Sequence, residues 1–185
     1  MADGSLVIKA QINVSHVDSQ NYCTRSEIIA AHQSESHRHL VQRLLAWALF
    51  RHANVKMSHA ICIGDEPDLF VRRNDVQFEH WIEVDQLVPE RLEKAEAKSE
   101  HVWLFYCDPS KVDKLLKNIN KHPCLQLVQY SPDLIDKLSQ QITKQINWSV
   151  MVDHDLLTVA TDDVYLESEI HLIHPLTIPA LDLIH

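Results

Sequence analysis

The sequence predicts an α/β (α+β) protein: a central mixed β-sheet flanked by helices, finished by antiparallel strands at the C-terminal end. Three observations carry that expectation. Apolar and polar residues alternate at a period of two near the start of the chain, the mark of a half-buried strand. In the middle, apolar runs of strand length are separated by helix-forming stretches, and strands joined by helical crossovers pair in parallel. Toward the end, strand follows strand with turn residues between. With 185 residues, 45% apolar and 23% charged, the chain can build one domain, or at most two small ones, without staples.

The first strand is read from Leu6, Ile8, Ala10, Ile12 and Val14. A second apolar stretch, Ile28 to Ala31, precedes His32-Gln33-Ser34-Glu35. From Glu35 to about Phe50 the spacing turns helical, with Leu40, Leu44, Leu45, Ala48 and Leu49 in one stripe. Ser34 is assigned as its N-cap and Glu35 to its first turn, where a carboxylate complements the helix dipole. Met57 to Ile63 reads as a short buried strand, and Gly64-Asp65-Glu66-Pro67-Asp68 as a turn. Val76 to Val84 alternates, placing Val76, Phe78, His80, Ile82 and Val84 on one face, with Trp81, Glu83 and Asp85 on the other. Pro89 to about Ser99 is helical, and His101 to Cys107 is a fully buried strand. Asp108-Pro109 leads into a helix from Lys111 to Ile119, and Cys124 to Tyr130 is again a strand. Pro132 opens a helix through about Gln140. Ile146–Val152, Leu156–Ala160 and Val164–Ile173 complete the chain as strands, the first two joined at Asp153-His154-Asp155.

Composition excludes several functions. The only glycines are Gly4 and Gly64, so no Rossmann fingerprint, Walker loop or Gly-rich kinase flap can be written. Neither a Gly-x-Ser-x-Gly elbow nor a cysteine-nucleophile context occurs. The formal net charge of −9 gives no overall footprint for nucleic acid, whose binding would need a local basic groove or a divalent ion. No apolar run is long enough to span a membrane, and the start of the chain lacks the basic and apolar regions of a signal peptide. Cys23, Cys62, Cys107 and Cys124 form no CxxC pair and read as reduced thiols in strands, which places the protein in the cytoplasm.

What remains is an acidic constellation. Glu35 stands at a helix start, Asp65, Glu66 and Asp68 in a turn, Glu83 on the next strand and Lys94 on the following helix. Carboxylates converging on one spot repel unless a cation sits between them, and Mg²⁺ takes one or two carboxylates with water and phosphate oxygens. A neighbouring Lys could stabilise charge on a scissile phosphate. The ordinary alternative is a set of solvated surface charges. Arg72-Arg73 with Arg91, Lys94 and Lys98 form either a basic rim for a phosphate backbone or a salt-bridged surface. His32, His37 and His39 cluster near the same region but lack the spacing of a closed zinc site. His59 and His80 fall inside strand patterns, and Trp47, Trp81, Trp103 and Trp148 read as core.

These motifs, taken in order, resemble the YaeQ family of bacterial proteins over the stretch from the first strand to about residue 162. The family's His-Pro-Ser-Glu helix entry and Arg-Leu-Leu-Ala-Trp helix appear as His32-Gln33-Ser34-Glu35 and Arg43-Leu44-Leu45-Ala46-Trp47. Its Asp-Glu-Pro turn appears as Asp65-Glu66-Pro67, and its Trp-Ile-Glu strand as Trp81-Ile82-Glu83. Gln86 and the Arg-x-x-Lys-Ala helix follow, as Arg91, Lys94 and Ala95. Gln33, Asp85 and Leu87 stand where the family usually has Pro, Gly and Pro. The resemblance implies one domain over residues 1–185 with a restriction-endonuclease-like, PD-(D/E)XK core. It further implies a metal site for Mg²⁺ or Mn²⁺ built from Glu35, Asp65 or Asp68, and Glu83, with Lys94 reaching in from its helix, since Asp85 occupies the usual place of the lysine. Two functions follow as expectations: a metal-dependent phosphodiesterase or nuclease acting on nucleic acid, or a non-catalytic binding or regulatory protein with a nucleic-acid or protein partner on the same scaffold.

Overall fold

A computed structural model describes residues 6–58 and 66–173. Strands β1 (Leu6–His16) and β2 (Asn21–Ala31) form a long hairpin, followed by helix α1 (His37–Leu49). Short strands β3 (Lys56–Met57) and β4 (Leu69–Arg72) lead to β5 (Phe78–Val84). Helix α2 (Pro89–Lys98) crosses over to β6 (Ser99–Tyr106), and a segment containing α3 (Asp113–Leu116) to β7 (Leu125–Tyr130). Helix α4 (Pro132–Ser139) precedes the meander β8 (Gln145–Asp153), β9 (Leu156–Ala160) and β10 (Tyr165–Leu172).

The ten strands of the described residues form one mixed sheet in the order β2-β1-β8-β9-β10-β7-β6-β5-β4-β3. The pairs β1–β8, β5–β6 and β6–β7 are parallel and the others antiparallel. Strand β10 stitches the two halves together, pairing with β9 through Glu169 and with β7 from Ile170 onward.

Helix α1 explains the shape. Every residue from Leu40 to Leu49 is buried, including Gln42 and Arg43, and a helix covered on all sides lies inside a fold. All ten strands contribute side chains to the apolar cluster that surrounds it, from Ile8 and Ile29 through Trp103 and Val128 to Ile170. The sheet wraps around α1, with α4 packed beside it. A second cluster, built on Trp81, Leu92, Ala95, Leu104, Val112 and Leu127, fills the space between β5–β7 and the α2 and α3 side. Among the described residues, no helix is long and apolar enough to cross a membrane.

Several expectations are corrected. The N-cap is Ser36, whose Oγ accepts the His39 N–H at 3.1 Å, so Glu35 precedes α1 instead of lying in its first turn. The chain at His32–Glu35 closes its own turn, with Glu35 N–H donating to the His32 carbonyl, which leaves Ser36 as the first hydroxyl able to face the free helix N–H groups. The strand expected from Met57 to Ile63 is represented by β3; residues 59–63, with His59 and Cys62, lie outside the described part. Val76 is exposed and Phe78 joins the Trp81 face, because the β4–β5 register slips between Val71↔His80 and Arg72↔Phe78, the signature of a bulge that turns side chains over. The helix read from Lys111 to Ile119 is broken into 3₁₀ turns at Pro109–Lys111 and Ile119–Lys121 around the single turn of α3.

Candidate functional site

The start of α1, the lead into β4 and the end of β5 link three of the predicted acids in a line, Glu35 to Asp68 through His39 and Asp68 to Glu83 through their charges. Glu35 has a fully buried carboxylate that meets Arg43 Nη1 through both oxygens, at 3.0 and 3.1 Å, and His39 Nδ1 at 2.8 Å. Arg43 is itself buried and its Nη2 donates to the Ser58 carbonyl at 2.8 Å, tying α1 to the chain beyond β3. Burial works against the Glu35 charge, but the His39 hydrogen bond and the Arg43 guanidinium hold its carboxyl below the ordinary carboxylate range. The His39 ring bridges the two acids, with Nδ1 at Glu35 and Nε2 3.7 Å from Asp68 Oδ1.

Asp68 and Glu83 form the centre. Asp68 is 9% exposed, and its Oδ2 accepts the Val84 N–H at 2.9 Å across the β4–β5 pair. Glu83 is 3% exposed; its Oε1 accepts Trp81 Nε1–H and Arg91 Nε–H, both at 2.6 Å. Arg91 Nη2 also donates to the Glu66 carbonyl at 2.6 Å, which pins α2 to the segment entering β4. Burial, reinforced by the Asp68 charge, pushes the Glu83 carboxyl up to about 8 against the pull of Arg91 and Trp81.

The remaining sequence-derived residues are distributed as follows. Glu66 turns its carboxylate outward to Arg72, at 3.1 Å. Arg73 pairs with Glu100, so the Arg72-Arg73 step is a salt-bridged surface. Lys94 is half-buried on α2, one turn beyond Arg91. Asp65 lies outside the described residues. Asp85 does not share the Glu83 face: its φ of 72° turns it aside to Lys111 and to Gln42 of α1, the latter at 3.4 Å. That left-handed backbone is why glycine suits the position, and Asp is among the few side chains that tolerate it. Of the histidine cluster, His32 meets Ser34 Oγ, and His37 meets the Ser139 carbonyl.

His39, Arg43 and Arg91 are the site residues that the sequence reading did not assign. His39 stood in the histidine cluster, Arg43 in a family motif, and Arg91 in both a family motif and the basic rim, but their contacts depend on how α1 and α2 pack. Among the described residues, Asp18, Asp153 and His154 bring three ligand atoms within 4.8 Å of one another, where the β1–β2 and β8–β9 turns meet at the surface, and the acidic line does not form such a group of three.

The model of the family described as "YaeQ protein" matches residues 1–170. The chain is 27% identical over 144 residues to the uncharacterized protein YaeQ of Escherichia coli (strain K12), covering 78% of each sequence. It is 25% identical over 136 residues to that of Salmonella typhi, covering 74% of this chain and 75% of the relative. In fold it is similar to the crystal structure of YaeQ from Xanthomonas axonopodis pv. citri, with a TM-score of 0.86 at 21% identity over 92% of this chain and 99% of the other. The YaeQ crystal structure from Pseudomonas syringae gives a TM-score of 0.85 at 24% identity, over 92% and 97%.

Proposed function

The chain belongs to the YaeQ family, and from that premise we propose that it is a metal-dependent phosphodiesterase acting on nucleic acid, with Mg²⁺ or Mn²⁺ held by Asp68 and Glu83. The observation that carries this reading is the Asp68–Glu83 pair: two enclosed carboxyls, one with its proton affinity raised to about 8. Such a pair suits a hard divalent cation, which would draw its remaining ligands from water and phosphate oxygens. The order α1, β3–β4–β5, α2, β6, with carboxylates at the helix start, the β4 entry and the β5 end, supports a restriction-endonuclease-like core.

A bound divalent ion would polarise a phosphodiester oxygen and lower the pKa of a coordinated water. Asp68 and Glu83 would hold it; the Val84 N–H and Trp81 Nε1–H fix the direction of their oxygens. His39 Nε2 would be placed to accept a proton from water at such a site, with Nδ1 held by Glu35. Arg43 keeps Glu35 ionised, so Glu35 serves the metal site through His39. Arg91, with Lys94 a turn further along α2, supplies positive charge where it would build on the phosphate.

Calorimetric titration with Mn²⁺ should give one saturable site in the wild-type protein that Asp68→Asn and Glu83→Gln each weaken by tenfold or more. Metal-dependent cleavage of labelled DNA and RNA oligonucleotides should then disappear with Asp68→Asn. The second reading, a non-catalytic binding protein, is favoured by the cationic partners that Glu35 and Glu83 already possess. It stands if Mn²⁺ does not bind and no oligonucleotide is cut.

A further inference from the structure

A groove runs along the flank of α2 that faces away from Glu83. Arg91 leaves the helix toward that carboxylate, whereas Leu92 and Glu93 line a space of about 760 Å³ shared with the α3 segment. Its floor is aliphatic, with Leu87, Val88 and Leu92 from the α2 side and Leu115 from α3. Leu92 is 1% exposed, but Val88 at the helix N-cap is 48% exposed, so the floor opens to water. An open apolar floor with charges around it marks a binding groove more often than ordinary surface.

The rim is basic. Lys111, Lys114, Lys117 and Lys121 all line the groove, so four of the chain's 17 basic residues fall between positions 111 and 121 of a protein with net charge −9. Two of the charged groups there are engaged: Lys111 pairs with Asp85, and His122 meets Glu96 at 3.1 Å. Lys114, Lys117 and Lys121 are exposed and enter no ion pair among the described residues. Glu93 also lines the groove; set against the three lysines, it leaves a surplus of two positive charges beside the aliphatic floor.

We propose that this groove docks an acidic amphipathic segment of a partner protein, its apolar side chains on the leucine and valine floor and its carboxylates at Lys114, Lys117 and Lys121. The three lysines recur at spacings of three and four residues, the interval at which a helix presents acids beside an apolar stripe. Opposite charge on the two surfaces speeds their encounter and fixes their register. A phosphate backbone would meet the lysines but leave the floor empty, and among the described residues no Phe, Tyr or Trp lines it for a base to stack on. A single-headed amphiphile would fill the floor but offer one anion to three cations.

The probe is a fluorescein-labelled synthetic helix with a Leu stripe flanked by Glu, followed by anisotropy against the full chain in metal-free buffer at constant ionic strength. It should bind saturably. The same peptide with Leu replaced by Ser keeps every charge and should bind at least tenfold more weakly. Lys114→Glu combined with Lys117→Glu should weaken the Leu peptide tenfold or more. Lys9→Glu with Lys56→Glu makes the same charge change on β1 and β3 and should alter binding less than twofold. Val88→Ser tests the floor without touching charge, and Ser suits the N-cap position, so α2 is kept; binding should weaken threefold or more. Absence of saturable binding, equal weakening by the two double variants, or unchanged affinity in Val88→Ser overturns the proposal. So does displacement of the probe by oligothymidylate or dodecanoate at lower concentration than by unlabelled peptide, which would give the groove to a nucleic acid or an amphiphile.

Discussion

The two halves of the sheet treat charge in opposite ways. Strands β1 and β8 bury every second residue, and their other face meets water. Strands β5, β6 and β7 bury nearly every residue along their central stretches, because α1 and α4 cover one face and α2 with α3 the other. On the open half, polar groups such as Asn13 and Thr24 pair at the surface, where water competes for both. On the covered half Glu83 is enclosed, and just inside the wrapped sheet so are Glu35 and Arg43. There each charge must find a partner or shift its proton affinity. A second layer of helices is thus what turns ordinary carboxylates into a perturbed site.

The largest test of this contrast is Arg43→Ala, which leaves the Glu35 carboxylate buried without its guanidinium. It should cost about 3–5 kcal/mol in urea unfolding, with partial recovery when Glu35→Gln is added. A loss below about 1 kcal/mol would falsify the view that the covered half depends on its ion pairs.

Next comes acid sensitivity. Burial, with His101 and His52 nearby, depresses His80 to about 3, and its Nδ1 accepts Trp103 Nε1–H at 3.2 Å. The folded state therefore holds a neutral ring. Its contribution is complete above the unfolded value of 6.5 and is lost as pH falls from there to about 3. The slope is up to about 1.4 kcal/mol per pH unit. His80→Gln should flatten that limb in a pH series of denaturant melts; an unchanged limb would show that another group controls it.

Glu83 should act with the opposite sign. Its folded value of about 8 lies above the unfolded 4.5, so its contribution is present at low pH and declines as pH rises between those values. Glu83→Gln should remove this decline, and Mn²⁺ should offset it in the wild-type protein alone. Metal-independent profiles that coincide for the two proteins would count against the raised value.

The smallest effect belongs to the open half. Thr24→Ala removes an exposed hydrogen bond of 2.8 Å to Asn13 Oδ1 and should change stability by less than about 0.5 kcal/mol. A cost approaching that of Arg43→Ala would erase the distinction between the halves.

Local pattern made much of this legible beforehand. The alternation in β1, the apolar run of β6, Pro132 at the start of α4 and the Asp153–Asp155 turn each write their structure within a few residues. The acidic line was partly legible, since Glu35, Asp68 and Glu83 sit at element ends where side chains can converge. Their partners were not, because Arg43 looks like one more polar position on a helix until the sheet is seen to enclose α1 on every side.

By itself, the amino-acid order determined which segments become strands or helices, which acids stand at their ends, and which family the chain resembles. These follow from period, propensity and motif, all of them short-range. Only the tertiary structure decided that ten strands wrap one helix, that Arg91 reaches Glu83 from α2, and that Asp85 turns away toward Lys111. Burial and electrostatic pairing join residues far apart in the chain, so their strength is set by packing and cannot be read from neighbours in sequence.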